Sequence, residues 1–414
     1  MTSPIRVLHF ADSHIGMENY GKTDPASGLS SRVVDFLRRM DEIVEYAREH
    51  EVDLTIFAGD AFKTRNPNPT FQREFAHRIR DLSLLAPIVL LVGNHDLPPS
   101  TLKASSIEIY DTLQVPNVWV AYDYEGRVID TKRGPVYVAT APYPIRARLL
   151  ERLSTTGHTI AQTDELLQTE LTRVLEALAT EADQHAMPRL LTGHFTVGGA
   201  VVGSERGIML GRDIAVSKTS IADDRWDYVA LGHIHKHQNL TVGRIDAPPV
   251  VYSGSIERID FGEEGDPKGF CWVELDRDAT EWRFVELSAR PFITLKADLR
   301  RSHNPTQDAL LLIDKHRLHQ AVVRMIVQFT PESEARFNEL AIRNAIHQAG
   351  AFYFAALKKE VEQPIRARLG ANPEGLTPPE LLERYLISKQ IDETRRVDLL
   401  EAADSIFNIE GPER

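Results

Sequence analysis

Cysteine is nearly missing from this 414-residue chain: Cys271 stands alone, so no intramolecular disulfide can form and no Cys-x-x-Cys pair exists to hold zinc through thiolates. A small disulfide scaffold is excluded, and a reducing cytoplasm is the expected compartment. Positive charge is also in deficit. Lysine and arginine number 48 against 60 aspartates and glutamates, and the formal charge of −12 argues against a protein that coats nucleic acid through a general basic surface. It leaves open a polyanion held at one place by divalent ions, which are often the largest local charges in a site. Long apolar runs are lacking too. Thr2, Ser3 and Pro4 lead into the short run Ile5 to Phe10 with no basic region before it, so neither a signal peptide nor a membrane span is expected. No internal repeat or low-complexity tract is present.

At roughly 150 residues per domain the length allows about three domains. Ile5–Phe10, Leu54–Ala58, Ile88–Val92, Leu190–Thr192 and Tyr228–Leu231 are apolar runs of strand length, each followed by Gly, Asp or His. Between the first two, Val34, Leu37, Ile43, Val44 and Ala47 share one face of a helix over Arg32 to His50, and a second helix covers about Thr163 to Asp183. The pattern predicts a layered α/β fold.

After the Gly-rich turn Gly262 to Gly269 come expected strands at Phe270–Leu275 and Trp282–Leu287. Phe292–Leu295, the helical Ala309–Ile313, the alternating Val323–Phe329, a helix near Glu334–Ala349 and the strand Ala351–Leu357 then suggest a smaller α/β cap. Pro364, Gly370, Pro373, Gly375, Pro378 and Pro379 interrupt the chain ahead of a helical tail. Expected boundaries are therefore 1–289, a cap at 290–360, a linker at 361–376 and an arm at 377–414. In the arm, Thr377-Pro378-Pro379-Glu380 has the form of a capping box that starts a helix running to about Ser388, with Leu381, Leu382, Tyr385 and Leu386 on its apolar face. A second helix from about Glu393 to Phe407 would present Val397, Leu400, Ala403 and Phe407.

The polar residues after the five early strands carry the chemistry. They are Asp12-Ser13-His14, Gly59-Asp60, Gly93-Asn94-His95-Asp96, Gly193-His194 and Gly232-His233-Ile234-His235. In an open α/β sheet ligands bind outside the carboxyl ends of the strands, so residues far apart in sequence can converge there. One Asp-x-His or Gly-His means little; five in register do not arise by coincidence. Asp, His and Asn are donors that manganese, iron or zinc accept, and no soft thiolate is among them. The donors exceed what one ion with open positions needs, so two metals are expected, with Asp60 as the shared bridge. Such a pair makes hydroxide available near neutral pH and clamps both oxygens of an in-line phosphoryl displacement, which makes phosphoester hydrolysis the reaction class. His95 is not needed to complete either shell and is assigned to the phosphate and leaving oxygen, with Asp96 placed to orient it. The neighbouring glycines are expected to let the backbone turn sharply and approach a phosphate. His9, His50, His77, His158, His185 and His237 lack such partners and read as packing or surface residues, and Cys271 as core.

The order Asp-x-His, Gly-Asp, Gly-Asn-His-Asp, Gly-His, Gly-His-x-His resembles the calcineurin-like metallophosphoesterase superfamily over residues 5 to about 240. Within it, Tyr252-Ser253-Gly254-Ser255-Ile256-Glu257-Arg258, then Asp260-Phe261-Gly262-Glu263-Glu264 and Lys268-Gly269-Phe270, are similar to the signature of SbcD-type DNA repair nucleases, and Arg32, Asp35 and the Asn66-Pro67 to Pro69 turn fit the same group. The resemblance implies a four-layer αββα sandwich with a small α/β cap and a helical arm. It also implies one metal, most often manganese, held by Asp12, His14, Asp60 and His235, a second by Asp60, Asn94, His194 and His233, and His95 as the catalytic histidine. One departure stands out: many archaeal and eukaryotic members carry a histidine three residues after the bridging Asp, where this chain has Lys63.

For partners, the resemblance implies duplex DNA ends, read through shape and backbone, and an SbcC-type ABC ATPase whose coiled coil the tail helices grip; a homodimer stays open. Lys22, Lys63, Arg65, Arg73, Arg206 and Arg212 are candidates to face the duplex. Exonuclease action from 3′ ends and endonuclease action in double-strand break repair are implied in the same way. A small-molecule phosphodiesterase or phosphatase would use the same metals, and an inactive scaffold is a third reading. The cap and arm favour the nuclease, and the filled ligand positions argue against the scaffold.

Overall fold

The computed structural model describes the chain apart from residues 1–2, 99–102, 151–157, 204–212, 245, 278, 363–375, 390 and 408–414, and the side chains of 404–407. Most of the expected linker, together with Arg206 and Arg212, therefore lies outside the described residues. Among the described residues no helix is long and apolar enough to cross a membrane.

Two six-stranded sheets build the larger part of the chain. The first has the order β12 (Glu281–Glu286), β11 (Gly269–Leu275), β1 (Ile5–Phe10), β2 (Leu54–Phe57), β3 (Ile88–Leu91), β4 (Val118–Ala121). The second has the order β5 (Glu125–Thr131), β6 (Gly134–Ala141), β7 (Arg189–His194), β8 (Tyr228–Gly232), β10 (Val250–Tyr252), β9 (Gln238–Asn239). Strands β1 to β4 pair in parallel, and so do β6, β7, β8 and β10. Both sheets end in antiparallel strands. The central strands β2, β3, β7 and β8 are buried along their whole length, which is why they read as continuous apolar runs and not as alternating ones.

Three apolar cores give the layer order. Val7, Ile56, Val89 and Leu91 from one sheet meet Val138, Leu190, Tyr228 and Ala230 from the other, with Cys271 among them. On its other face the first sheet packs Leu8, Phe10 and Phe57 against the helices Ser31–Glu49 and Pro69–Ser83 through Phe36, Met40, Phe75 and Ile79. The second sheet packs Ala139, Leu191 and Val229 against the helix Ile160–Ala182 through Leu167, Leu171 and Leu175. The order is helix, sheet, sheet, helix, the expected four-layer α/β sandwich. The five motif-bearing strands are divided between two sheets, three in one and two in the other, whereas the strand pattern alone suggested a single sheet edge.

A third sheet has the order β13 (Phe292–Asp298), β14 (Val322–Phe329), β15 (Tyr353–Val361). By compactness the chain falls into two units. One is Met1–Leu295 with His316–Arg324 and Arg343–Ala356; the other is Lys296–Lys315, Met325–Ile342 and the described residues from Leu357 onward. In the second unit, helix Pro378–Ser388 starts with the anticipated capping box, Thr377 against Glu380, and helix Glu393–Phe407 follows. Leu386 is buried, while Tyr385, Ile387 and Val397 are exposed.

Candidate metal centre

The loops that follow β1, β2, β3 and β8 carry most of the expected donors, and their backbones are unusual. Asp12, His14, Asp60 and His233 have φ of +53°, +37°, +62° and +93°. Non-glycine residues seldom adopt this left-handed region unless the surroundings over-determine it. Here they do: the first two loops are joined by Asp12 N–H to Gly59 O at 2.9 Å, His14 N–H to Asp60 O at 3.1 Å and Ile15 N–H to Ala61 O at 2.9 Å. Asp96 ties the next pair. Its carboxylate accepts from the backbone N–H groups of Asp60 at 2.8 Å, Ala61 at 2.9 Å and Gly93 at 3.0 Å.

This use of Asp96 differs from the expected one. The His95 ring is held by Nδ1 on the backbone carbonyl of Lys63 at 2.8 Å, while Asp96 is occupied by backbone amides that burial would otherwise leave unpaired. Because a main-chain atom holds His95, the lysine side chain at position 63 does not alter that contact. The glycines also serve a different end. At Gly59 (φ +99°) a Cβ would lie 2.3 Å from His194 Nδ1, and at Gly93 one would lie 2.2 Å from Asp60 Oδ1, so their missing side chains make room for donors.

Asp12, His14, Asp60, Asn94, His95, His194, His233 and His235 all come together. Asp60 faces two ways: Oδ2 lies 3.7 Å from His14 Nε2, and Oδ1 lies 3.4 Å from His194 Nε2. On the first side His14 Nε2 is 2.9 Å from His235 Nε2 and 4.0 Å from Asp12 Oδ1. On the second, Asn94 Oδ1 is 3.0 Å from both His194 Nε2 and His233 Nδ1. The His95 ring stands edge-on to His14, centroids 4.9 Å apart.

The far nitrogens fix which atom each imidazole offers. His194 Nδ1 donates to Ala58 O at 2.6 Å, His233 Nε2 to Asp213 Oδ2 at 3.0 Å and His235 Nδ1 to Glu263 Oε1 at 2.9 Å. Each ring therefore turns a bare lone pair inward, against other oxygen and nitrogen lone pairs. Only protons or cations can sit among them. Metal bonds of about 2.0–2.2 Å to nitrogen and oxygen put adjacent donors about 3.0–3.5 Å apart and opposed donors about 4.2 Å apart, the spacing observed here. The residues fit a pair of divalent ions.

Charge in the site reflects the same crowding. Burial pushes the Asp12 carboxyl up to about 7 and Asp96 up to about 6. Burial would lower His194, but the Asp60 carboxylate outweighs it and raises the ring to about 9. At neutral pH a proton on His194 occupies the place a cation would take.

Sequence reasoning does not assign the outer partners. Glu263 and Lys268 stand in the sequence only as part of a signature; in the fold they form a buried ion pair at 2.8 Å that backs His235. Asp213 lies in no motif, and only the folded chain brings it to His233. Of the basic candidates, Lys22 and Arg65 are exposed, Lys63 is half-buried, and Arg73 is paired with Glu74 at 2.8 Å.

The family described as calcineurin-like phosphoesterase matches residues 5–237, more than half of the chain. The chain belongs to that family. Its members use divalent metals, which agrees with the paired donor sets. Among curated phosphoesterase relatives, the chain is 29% identical over 301 residues to the SbcD component of the nuclease SbcCD from Bacillus subtilis (strain 168), covering 71% of this chain and 72% of that protein. Among solved structures, a dimetal phosphatase from Danio rerio aligns with 12% identity and a TM-score of 0.41, covering 69% of this chain and 96% of that one.

Proposed function

We propose that this phosphoesterase is a manganese-dependent DNA nuclease of the SbcD type, with 3′–5′ exonuclease and endonuclease action at duplex ends. The observation that carries the reading is Asp60 with one oxygen turned to each donor set, taken with the similarity to the Bacillus subtilis nuclease component. Asp12, His14, Asp60 and His235 hold one ion, and Asp60, Asn94, His194 and His233 the other. When bound, such a pair supplies a nucleophile at neutral pH and stabilises the attacking and leaving oxygens of an in-line displacement. His95, fixed through Nδ1, offers its other nitrogen to the phosphate and leaving oxygen. Asp96 keeps the loops after β2 and β3 in register beneath it.

On the same reading residues 290–360 cap the site over DNA and the helices after Thr377 grip the coiled coil of an ABC-type ATPase, in the cytoplasm, in double-strand break repair. The exposed Tyr385, Ile387 and Val397 support a partner surface there. The test is to incubate the purified chain with manganese on end-labelled duplex DNA and on bis(p-nitrophenyl) phosphate. Cleavage of both is expected. Cleavage of the small ester alone would favour a small-molecule phosphodiesterase, and cleavage of neither an inactive scaffold.

A further inference from the structure

The two histidines of Gly232-His233-Ile234-His235 are each backed by a carboxylate, but the two carboxylates are held differently. Glu263, behind His235, is fully buried and neutralised by the buried ammonium of Lys268 at 2.8 Å. Asp213, behind His233, comes from a loop and is partly reached by solvent. Its Oδ1 accepts from the Tyr143 hydroxyl at 2.8 Å, and its Oδ2 takes His233 Nε2 at 3.0 Å and the Thr196 hydroxyl at 3.2 Å. Among the described residues His233 is its one ion-pair partner.

Resting on the two-ion reading, the structure assigns Asp213, fixed by Tyr143 and Thr196, as the positioning residue of the second cation site, acting through His233. Three consequences follow from this geometry. With Nε2–H committed to Asp213, His233 can present only Nδ1 toward Asn94 and Asp60, so the tautomer is set before any ion arrives. Tyr143 and Thr196 are hydroxyl donors and leave the negative charge of Asp213 uncancelled, so it raises the donor strength of His233. Glu263 passes on less, because Lys268 takes up its charge. The second site therefore depends on Asp213, while the first depends on a buried ion pair elsewhere.

The experiment is manganese titration of the full chain, read by the electron paramagnetic resonance of free ion and of the spin-coupled pair, for wild type, Asp213→Asn and Tyr143→Phe. Loss of an outer carboxylate behind a ligating histidine weakens a site by about 10- to 100-fold. D213N should weaken one of two manganese ions by that factor and abolish the coupled signal at sub-saturating manganese, with the other ion bound as in wild type. Y143F should give a smaller weakening of the same ion. Thermal unfolding in chelator separates a folding defect: equal loss of both ions with a lowered midpoint overturns the assignment in favour of a structural role. D213N binding both ions like wild type overturns this inference alone, whereas a wild-type chain that binds fewer than two ions removes both it and the reading beneath it.

Discussion

Lys268 and Glu263 meet at 2.8 Å in an ion pair that solvent does not reach, and Glu263 passes that anchorage to His235 Nδ1 at 2.9 Å. Burial alone would raise the Glu263 carboxyl, but Lys268 and His235 hold it far below the usual carboxylate range. Lys268→Met should leave a buried charge without its partner and cost about 3–5 kcal/mol. Urea unfolding checks this; a loss below about 1 kcal/mol would mean that Glu263 finds another counter-charge.

Asp60 is shared, so its removal should act on both ions. Asp60→Ala is expected to weaken two manganese sites together, whereas His14→Ala should weaken mainly one. Equal metal loss in the two variants, measured after desalting, would argue against a bridging carboxylate.

His95→Asn should retain both ions and lose activity. A positioned proton donor contributes about 10²–10⁴-fold, so kcat on bis(p-nitrophenyl) phosphate should fall within that range. Loss of one equivalent of manganese in this variant would place His95 in a metal shell instead.

His9 gives a pH dependence with a definite sign. It is fully buried between the Tyr228 hydroxyl and the Leu231 carbonyl, both 3.2 Å away. Burial pulls its folded-state pKa from 6.5 down to about 3. The folded value lies below the unfolded one, so the stabilisation is complete above pH 6.5 and is lost as the pH falls toward 3. Each pH unit in that window costs up to about 1.4 kcal/mol. Urea midpoints of His9→Gln compared with wild type between pH 7.5 and 5 should diverge at the upper end and approach each other at the lower; parallel curves would show that His9 is charged in the folded state.

Removing the chain from Thr377 onward should leave manganese-dependent hydrolysis of the small ester while abolishing a stable complex with the partner ATPase. Size-exclusion chromatography of the mixed proteins decides it. Co-elution of the shortened chain would displace the docking role from these helices.

The sequence reads most clearly where a single physical signal dominates. Continuous apolar runs mark β1, β2, β3, β7 and β8 because those strands are buried on both faces, and the residues after each run are the ones that meet at the site. β5, Glu-Gly-Arg-Val-Ile-Asp-Thr, is a sheet edge that carries charge to the surface and has no such run. Helix Pro69–Ser83 is hidden by its own start: Asn68 caps the backbone of Phe71 with Pro69 at the first turn, and Asn66-Pro67 to Pro69 reads as a turn. Asp96 and Asp213 show the limit at the site. Asp96 lies in the expected turn but makes a different contact, because its three amide donors come from two loops; Asp213 reaches His233 only through tertiary folding.

Asp12, His14, Asp60 and Asn94 follow strands of the first sheet, and His194, His233 and His235 belong to the second. Two metal ions shared among them would rivet the two halves of the sandwich along one rim, with Val7 and Val138 in the oily layer behind. Loading with metal is then coupled to the seam itself. Occupancy adds RT ln(1 + [L]/Kd) to the stability of the closed form, so chelation should loosen this rim first, and amide exchange would follow it as faster labelling after β1, β2, β7 and β8. Metal supply would thereby set how long the chain stays folded as well as how fast it can cut.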